Sequence, residues 1–201
     1  MYVYDTILIG LMAYLLGSIP FGVVLAKLLR LPDPRRIGSG NIGATNMLRT
    51  GRKDVALVTL LLDAGKGMAA VMLARALFDA SYTLVAFAVL MAALGHMYSP
   101  WLKFTGGKGV ATILGGALAF SGLVGGVFCA VFLAVFAFGR YVSLASIVGL
   151  VALPIAALYP FGFAPALLLA FASAVAIYKH RSNIARLKRG EEPKMGRRHH
   201  A

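Results

Sequence analysis

Charge is scarce in this chain of 201 residues. Asp, Glu, Lys and Arg make up 13% of it, against the roughly 25% usual in a soluble domain. Acid is scarcer still, with 7 Asp and Glu against 20 Lys and Arg. The one cysteine, Cys129, lies in an apolar run, which excludes a disulfide framework and a Cys-based metal site. No His, Asp or Glu cluster has metal-ligand spacing, so no metal is expected. Sustained two-residue alternation is missing, which excludes a β-barrel. There is no G-x-S-x-G nucleophile elbow. An H-x-x-x-x-D acyltransferase dyad is also lacking, since Trp101 follows His96 at that spacing and Ala185 follows His180. No basic region precedes the first apolar run, so a cleavable signal peptide is not expected.

What remains is grease. Hydrophobic residues form 60% of the chain and its mean hydropathy is +0.82. Apolar runs long enough to span a bilayer identify an all-α integral membrane protein. The runs cover about Tyr4 to Leu29, Val55 to Phe78, and from the break at Asp79–Tyr82 to Tyr98. Then come Val110 to Phe138, Leu144 to Leu158, and a last run to Tyr178, after a turn at Tyr159-Pro160-Phe161-Gly162. Gly17, Pro20 and Gly22 predict a kink in the first. Val110–Phe138 is ambiguous: its length suits one span, but charge favours two. Lys and Arg gather in 27–53, 103–108, at Arg140 and in the tail from Lys179 to Arg198, while the other breaks hold almost none. Arg75 is the exception, able to snorkel. A hairpin at Ser121–Gly122 brings every basic segment to one side, which the positive-inside rule makes cytoplasmic. The expectation is seven transmembrane helical segments, some short or broken, with the N-terminus outside and the C-terminus cytoplasmic. They form a single polytopic domain over 1–201, with cytoplasmic loops at about 30–53, 100–109 and 139–143 and a basic tail over 179–201.

Two loops carry chemistry. In the first, Gly38, Gly40 and Gly43 match G-x-G-x-x-G, but no βαβ unit surrounds them, so a dinucleotide site is excluded. Ser39, Asn41, Thr45 and Asn46 supply small polar groups, and Arg49 is a natural bidentate phosphate partner. The same stretch also reads as a polar loop in which Thr45 or Asn46 caps a short helix. In the second, Gly106, Gly107, Lys108 and Gly109 precede a helical run. Converging backbone N–H groups, a helix N-terminus and a lysine make an anion site, most naturally for phosphate. The alternative is a surface loop with glycines for tight turning. It is not a Walker A loop, because Gly109 follows Lys108.

In the tail, His180 and Asn183 share a helix face as i, i+3 neighbours. His180 reads as general base, phosphate ligand or solvated surface residue. Glu191 and Glu192 read as partners of a loop arginine. Ser143 reads equally as an N-cap or as part of a site. Asp63 and Lys66 form an intramembrane i, i+3 pair, functional by default and structural if self-paired. His96 reads as a hydrogen-bond partner of another helix. Basic charge confined to membrane rims argues for an anchor to anionic lipid and against nucleic acid. A transporter of small phosphorylated anions shares the basic rim and broken helices, but no inverted repeat is evident and the polar groups gather on one side.

The motifs GSIPFG (17–22), GSGNIGATN (38–46) with Arg49, LDAGKG (62–67), LGHMYSPW and GGKGVAT, RYVSLAS (140–146) and YKHRSNIARLKRGEE resemble, in order along nearly the whole chain, the bacterial acyl-phosphate:glycerol-3-phosphate acyltransferase family. The resemblance implies transfer of a fatty acyl group from acyl phosphate to the 1-position of sn-glycerol 3-phosphate, giving lysophosphatidate and phosphate. This is the first committed step of phospholipid synthesis. It implies no cofactor, a cytoplasm-facing site in the bacterial inner membrane, and a soluble partner enzyme that makes the acyl phosphate. Carried over, the family's serine and arginine fall on Ser39 and Arg49, and its glycerol-phosphate loop on Gly106–Gly109 with Lys108. Its histidine and asparagine fall on His180 and Asn183, and its structural glutamate on Glu192.

Overall fold

The structure, a computed structural model, describes residues 3–196, which form helices and no strand. The first apolar run is two helices, α1 (Val3–Ser18) and α2 (Phe21–Leu28). They separate where the sequence predicts a kink: Pro20 has no N–H to give and disfavours a helical residue before it. A short helix, α3 (Ala44–Met47), sits in the first loop. Then come α4 (Lys53–Phe78), α5 (Tyr82–Met97), α6 (Val110–Phe120), α7 (Gly122–Gly139), α8 (Val142–Phe161), α9 (Phe163–Lys179) and α10 (Arg181–Lys188).

Five segments are long and apolar enough to cross a membrane: α1 with α2, then α4, α5, α7 and α8. The pair α9–α10, bent by 60° at His180, makes a sixth if counted as one span, and α6 is a shorter apolar helix. The charge argument for a break inside 110–138 holds. Ser121 is extended, and Leu118 packs back over Gly125 across a tight helical hairpin.

Helix α5 is the most enclosed of the long segments and touches α1, α4, α6 and α9. Glycine makes its contact with α1 close. A Cβ on Gly17 would collide with the Ala92 backbone, and one on Gly95 with the Tyr14 carbonyl. The same device sets α6 against α4, where Gly115 abuts the Ala64 carbonyl and Gly67 abuts that of Thr112. These contacts fall near the middle of the 26-residue α4. Helix α6 therefore starts at the depth of mid-α4, and the loop before it is sunk into the bundle. At its other end Arg75 donates to the Phe120 carbonyl at 2.8 Å. This side chain caps α6 rather than snorkelling, because the carbonyls of a last helical turn need donors.

One further expectation is corrected. The turn foreseen at Tyr159-Pro160-Phe161-Gly162 shrinks to Gly162, at φ +85°, and α8 continues through Pro154 and Pro160. Packed membrane helices tolerate proline where neighbours satisfy the freed carbonyls. The basic tail starts as α10, in keeping with the helix face expected for His180 and Asn183. Its end, Arg197 and Arg198, lies outside the described residues.

Candidate active site

The first loop is organised by one buried amide. Asn46, 2% exposed, donates Nδ2 hydrogens to the carbonyls of Pro34 (2.7 Å), Asn41 (2.8 Å) and Ile37 (3.1 Å). Its Oδ1 accepts the Ser39 N–H at 3.1 Å. With its amide spent on the loop, Asn46 has nothing left for a ligand, so it holds the binding groups instead of being one. It does not cap α3 either, and nor does Thr45. The N-cap is Gly43, and both residues lie inside the helix. The effect is to leave the Ser39, Thr45 and Arg49 side chains outward, bordering a cavity of about 690 Å³.

The second loop behaves differently. The Gly106 and Gly107 N–H groups donate inward, to the Met97 and His96 carbonyls, both at 3.1 Å. A Cβ on Gly106 would meet the His96 carbonyl, and one on Gly107 the His96 ring. Neither glycine lines the cavity. The expectation that their N–H groups converge on an anion is therefore corrected: close packing on α5 has already used them. The free donors come one step later. Ile113 is the first residue of α6 to bond back, to the Gly109 carbonyl, which leaves the amides of Val110, Ala111 and Thr112 without ladder partners. Lys108, Gly109, Val110 and Ala111 line the cavity.

The third wall is the α9–α10 bend. His180 (3% exposed) and Asn183 (6%) share the face that the spacing predicts, and both line the cavity. The solvated reading of His180 is excluded by that burial. Its Nδ1 lies 2.8 Å from the Ala176 carbonyl, an acceptor only, so Nδ1 carries the proton and Nε2 keeps its lone pair. Burial, with the Lys108 charge nearby, lowers the imidazole to about 4, which keeps it neutral at physiological pH. Lys108 Nζ donates to Asn183 Oδ1. Burial likewise lowers this ammonium to about 8, with Glu192 opposing and Arg186 reinforcing the shift.

Glu192 ties the tail to this wall. Its Oε1 accepts from Ser143 and Asn183, both at 2.6 Å, and its Oε2 from Arg186 at 2.7 Å. The expected arginine partner thus comes from α10, not from a loop. Ser143 is neither an N-cap nor a free binding group, because its hydroxyl is given to Glu192. Burial alone would raise this carboxyl; the three hydrogen bonds outweigh it and hold it below the usual range. Glu191 instead pairs with Arg189 at 2.7 Å, both more than half exposed. The chain then folds back: the Met195 N–H donates to the Arg140 carbonyl at 2.9 Å, and Pro193 to Gly196 close over the cavity.

The structure therefore gathers Ser39, Asn41, Thr45, Asn46, Arg49, Lys108, Gly109, Ser143, His180, Asn183 and Glu192 around one cavity and leaves Gly106 and Gly107 outside it. Sequence reasoning did not place Arg186 at the site, although it follows Asn183 by three residues on the same helix and so shares its face. It also missed Asp63 and His96 as cavity walls, and an apolar side built from Leu60, Leu114, Phe128, Phe132 and Leu133. No local signal marks a helix face that turns from lipid to cavity. Among the described residues no three His, Cys, Asp or Glu side chains gather as metal ligands.

A family model described as glycerol-3-phosphate acyltransferase matches residues 7–190. The glycerol-3-phosphate acyltransferase of Rhodospirillum rubrum is 50% identical over 193 residues, covering 93% of this chain and 89% of that protein. The one from Bordetella pertussis is 48% identical over 199 residues, covering 93% and 90%. Among solved structures, the glycerol 3-phosphate form of PlsY (YgiH), an integral membrane glycerol 3-phosphate acyltransferase, superposes with a TM-score of 0.89 at 38% identity. That match covers 95% of this chain and 96% of PlsY. The lysophosphatidic acid form gives a TM-score of 0.86 at the same identity. A match of this extent, in sequence and in backbone alike, makes the chain a member of the glycerol-3-phosphate acyltransferase family.

Proposed function

We propose that this protein transfers a fatty acyl group from acyl phosphate to the 1-hydroxyl of sn-glycerol 3-phosphate, releasing lysophosphatidate and phosphate. One observation carries the reading. The cavity joins a cationic end, with Arg49, Lys108 and Arg186, to an apolar wall of Leu60, Leu114, Phe128, Phe132 and Leu133. Phosphate fits the first and an acyl chain the second. A carrier of small phosphorylated anions has no use for the apolar wall, so the transferase reading is preferred to transport.

In the reaction, the 1-oxygen of glycerol 3-phosphate attacks the acyl carbonyl carbon, and the bond from that carbon to the phosphate oxygen breaks. Phosphate is already a good leaving group, so positioning and charge neutralisation do most of the work. Arg49, Lys108 and the α6 amides hold phosphate. Ser39 donates a hydrogen bond: no base among the described residues is hydrogen-bonded to its hydroxyl, as an activated nucleophile requires. His180 Nε2 accepts a hydrogen bond from the 2-hydroxyl of glycerol 3-phosphate and so positions the attacking 1-hydroxyl, whose proton it does not take. The proton goes elsewhere, because a base at about 4 is weaker than a phosphate oxygen, whose second ionisation lies near ~6. A phosphate oxygen takes it. No metal or cofactor is required.

The same reading makes all seven apolar segments crossings of one polytopic domain in the bacterial inner membrane. The N-terminus lies outside, and the basic loops, the tail and the cavity mouth face the cytoplasm. There a soluble enzyme supplies acyl phosphate, and the lipid product leaves sideways into the bilayer.

The test is acyl transfer by purified protein given labelled glycerol 3-phosphate with palmitoyl phosphate or palmitoyl-CoA. Lysophosphatidate from acyl phosphate alone is expected, and Lys108→Ala is expected to raise the KM for glycerol 3-phosphate. No product from either donor, with folded protein, refutes the proposal.

A further inference from the structure

The acyltransfer mechanism leaves a cluster of buried titratable side chains unused: Asp63 and Lys66 on α4 and His96 on α5, each no more than 4% exposed. Lys66 Nζ has three partners. It hydrogen-bonds to the Ile19 carbonyl in the α1–α2 break and to His96 Nδ1, each at 2.8 Å, and pairs by charge with Asp63 Oδ1 at 2.8 Å, an oxygen that also lies 3.6 Å from His96 Nδ1. An ammonium has three hydrogens and no lone pair, so it donates to His96 Nδ1, and the ring proton resides on Nε2. That Nε2–H has no hydrogen-bond partner among the described residues, and the ring lines the cavity. It faces Gly107, where any Cβ would collide with it. Lys108 is the next residue, and the unpaired amides of Val110, Ala111 and Thr112 follow at the start of α6.

We propose that His96 is a further substrate-binding residue, donating its Nε2–H to a phosphate oxygen of a bound substrate beside Lys108 and the N-terminal amides of α6. Lys66 is a positioning residue that fixes the donating tautomer, and Asp63 and the Ile19 carbonyl hold Lys66. The absent side chain at Gly107 leaves the room that the His96 ring occupies at the cavity wall. A lysine as neighbour, a helix N-terminus and a neutral N–H together favour an anion, and both substrates of the proposed reaction carry one. The choice between the two phosphates rests on that reading; the donor itself does not.

Two measurements test it. In steady-state assays with the full chain, His96→Leu is expected to raise the KI of inorganic phosphate about tenfold or more, the loss of one hydrogen bond to a charged group. His96→Gln, which retains an N–H at the same reach, is expected to restore most of the affinity. Lys66→Met, which frees the tautomer, falls between them. A matching rise in KM for glycerol 3-phosphate alone, or for acyl phosphate alone, assigns the contact to that substrate. A fall in kcat with every KM and KI unchanged overturns the proposal. Should the variants not fold, 15N spectra of histidine-labelled wild-type protein decide. The proposal requires a protonated Nε2 on His96 that shifts when inorganic phosphate is added. A proton on Nδ1, or an Nε2 signal indifferent to saturating phosphate, overturns it. Failure of the acyltransferase reading would show separately, as wild-type protein that shifts with phosphate but makes no lysophosphatidate.

Discussion

The two glycine-rich loops look alike in sequence and are built on opposite plans. The loop over 38–46 is held from within. One buried amide, Asn46, takes up its carbonyls and leaves the side chains of Ser39, Thr45 and Arg49 free. The loop over 106–109 is held from without. The Gly106 and Gly107 N–H groups reach into the end of α5, and the loop's only polar side chain is Lys108, which donates to Asn183. In the first loop, glycine supplies backbone shape at Gly40, with φ +69°, and at Gly38, with φ +53°, both shape and room for the Arg49 side chain. In the second, Gly106 and Gly107 supply space. Glycine density alone therefore does not locate an anion nest; what decides is where the N–H groups are already spent.

If that contrast is right, the largest effect comes from filling space in the second loop. A Cβ on Gly106 would meet the His96 carbonyl, a backbone atom that cannot swing away. Gly106→Ala should push the loop off α5 and move Lys108 with it. A displacement on the order of 1 Å costs roughly a hundredfold in rate, so a kcat/KM loss of at least that order is expected. Near-normal activity would show that the loop is not seated as described. Next comes Asn46→Ala. It strands three carbonyls and the Ser39 N–H. A cost of about 2 kcal/mol for loop order, or roughly thirtyfold in kcat/KM, is expected. Asn46→Asp should not rescue it, because the missing groups are donors. Rescue would return Asn46 to the substrate-binding set.

These two residues also show what was legible in the sequence. The helices, the break at Ser121 and the clustering of Ser39, Arg49, Lys108, His180 and Asn183 could be read because hydropathy and charge are local signals with a bilayer as reference. The role of Asn46 could not, since its partners, Pro34, Ile37 and Asn41, are carbonyls with no side-chain signature. The same holds for Gly106 and Gly107, whose acceptors are the carbonyls of Met97 and His96. Ser143 and Glu192 meet across 49 positions, a pairing that only the fold-back of the tail creates. The family resemblance named the residues; which of them face the cavity is a matter of tertiary hydrogen bonding.

A smaller effect isolates the one charge of the second loop. Burial brings Lys108 down to about 8, so it is cationic below that pH and neutral above it. Glycerol 3-phosphate becomes a dianion above ~6. Cation and dianion therefore coexist between these limits. The kcat/KM for glycerol 3-phosphate should decline as pH rises through about 8. Lys108→Arg, always charged, should flatten that alkaline limb while lowering the plateau, because a guanidinium does not fit the ammonium's place at Asn183. A wild-type profile that stays flat well above pH 8 would mean that Lys108 is not the phosphate's counter-charge.

The smallest effect belongs to Gly40, the counterpart of Gly106 in the first loop. Its N–H closes a turn on the Ile37 carbonyl at 2.9 Å. A Cβ there would find only the Arg35 carbonyl, at 3.5 Å, which is ordinary contact. Space is available, and only the φ of +69° resists a side chain. Gly40→Ala should thus cost about 1 kcal/mol, the left-handed penalty, seen as a modest fall in Tm with catalysis nearly intact. Asparagine adopts this conformation more readily than alanine, so Gly40→Asn should recover part of the loss. At Gly106 the order of substitutions should follow size, alanine before asparagine, because volume and not φ is limiting there. If asparagine and alanine rank the same way at both positions, the two loops use glycine for the same reason and the contrast between them fails.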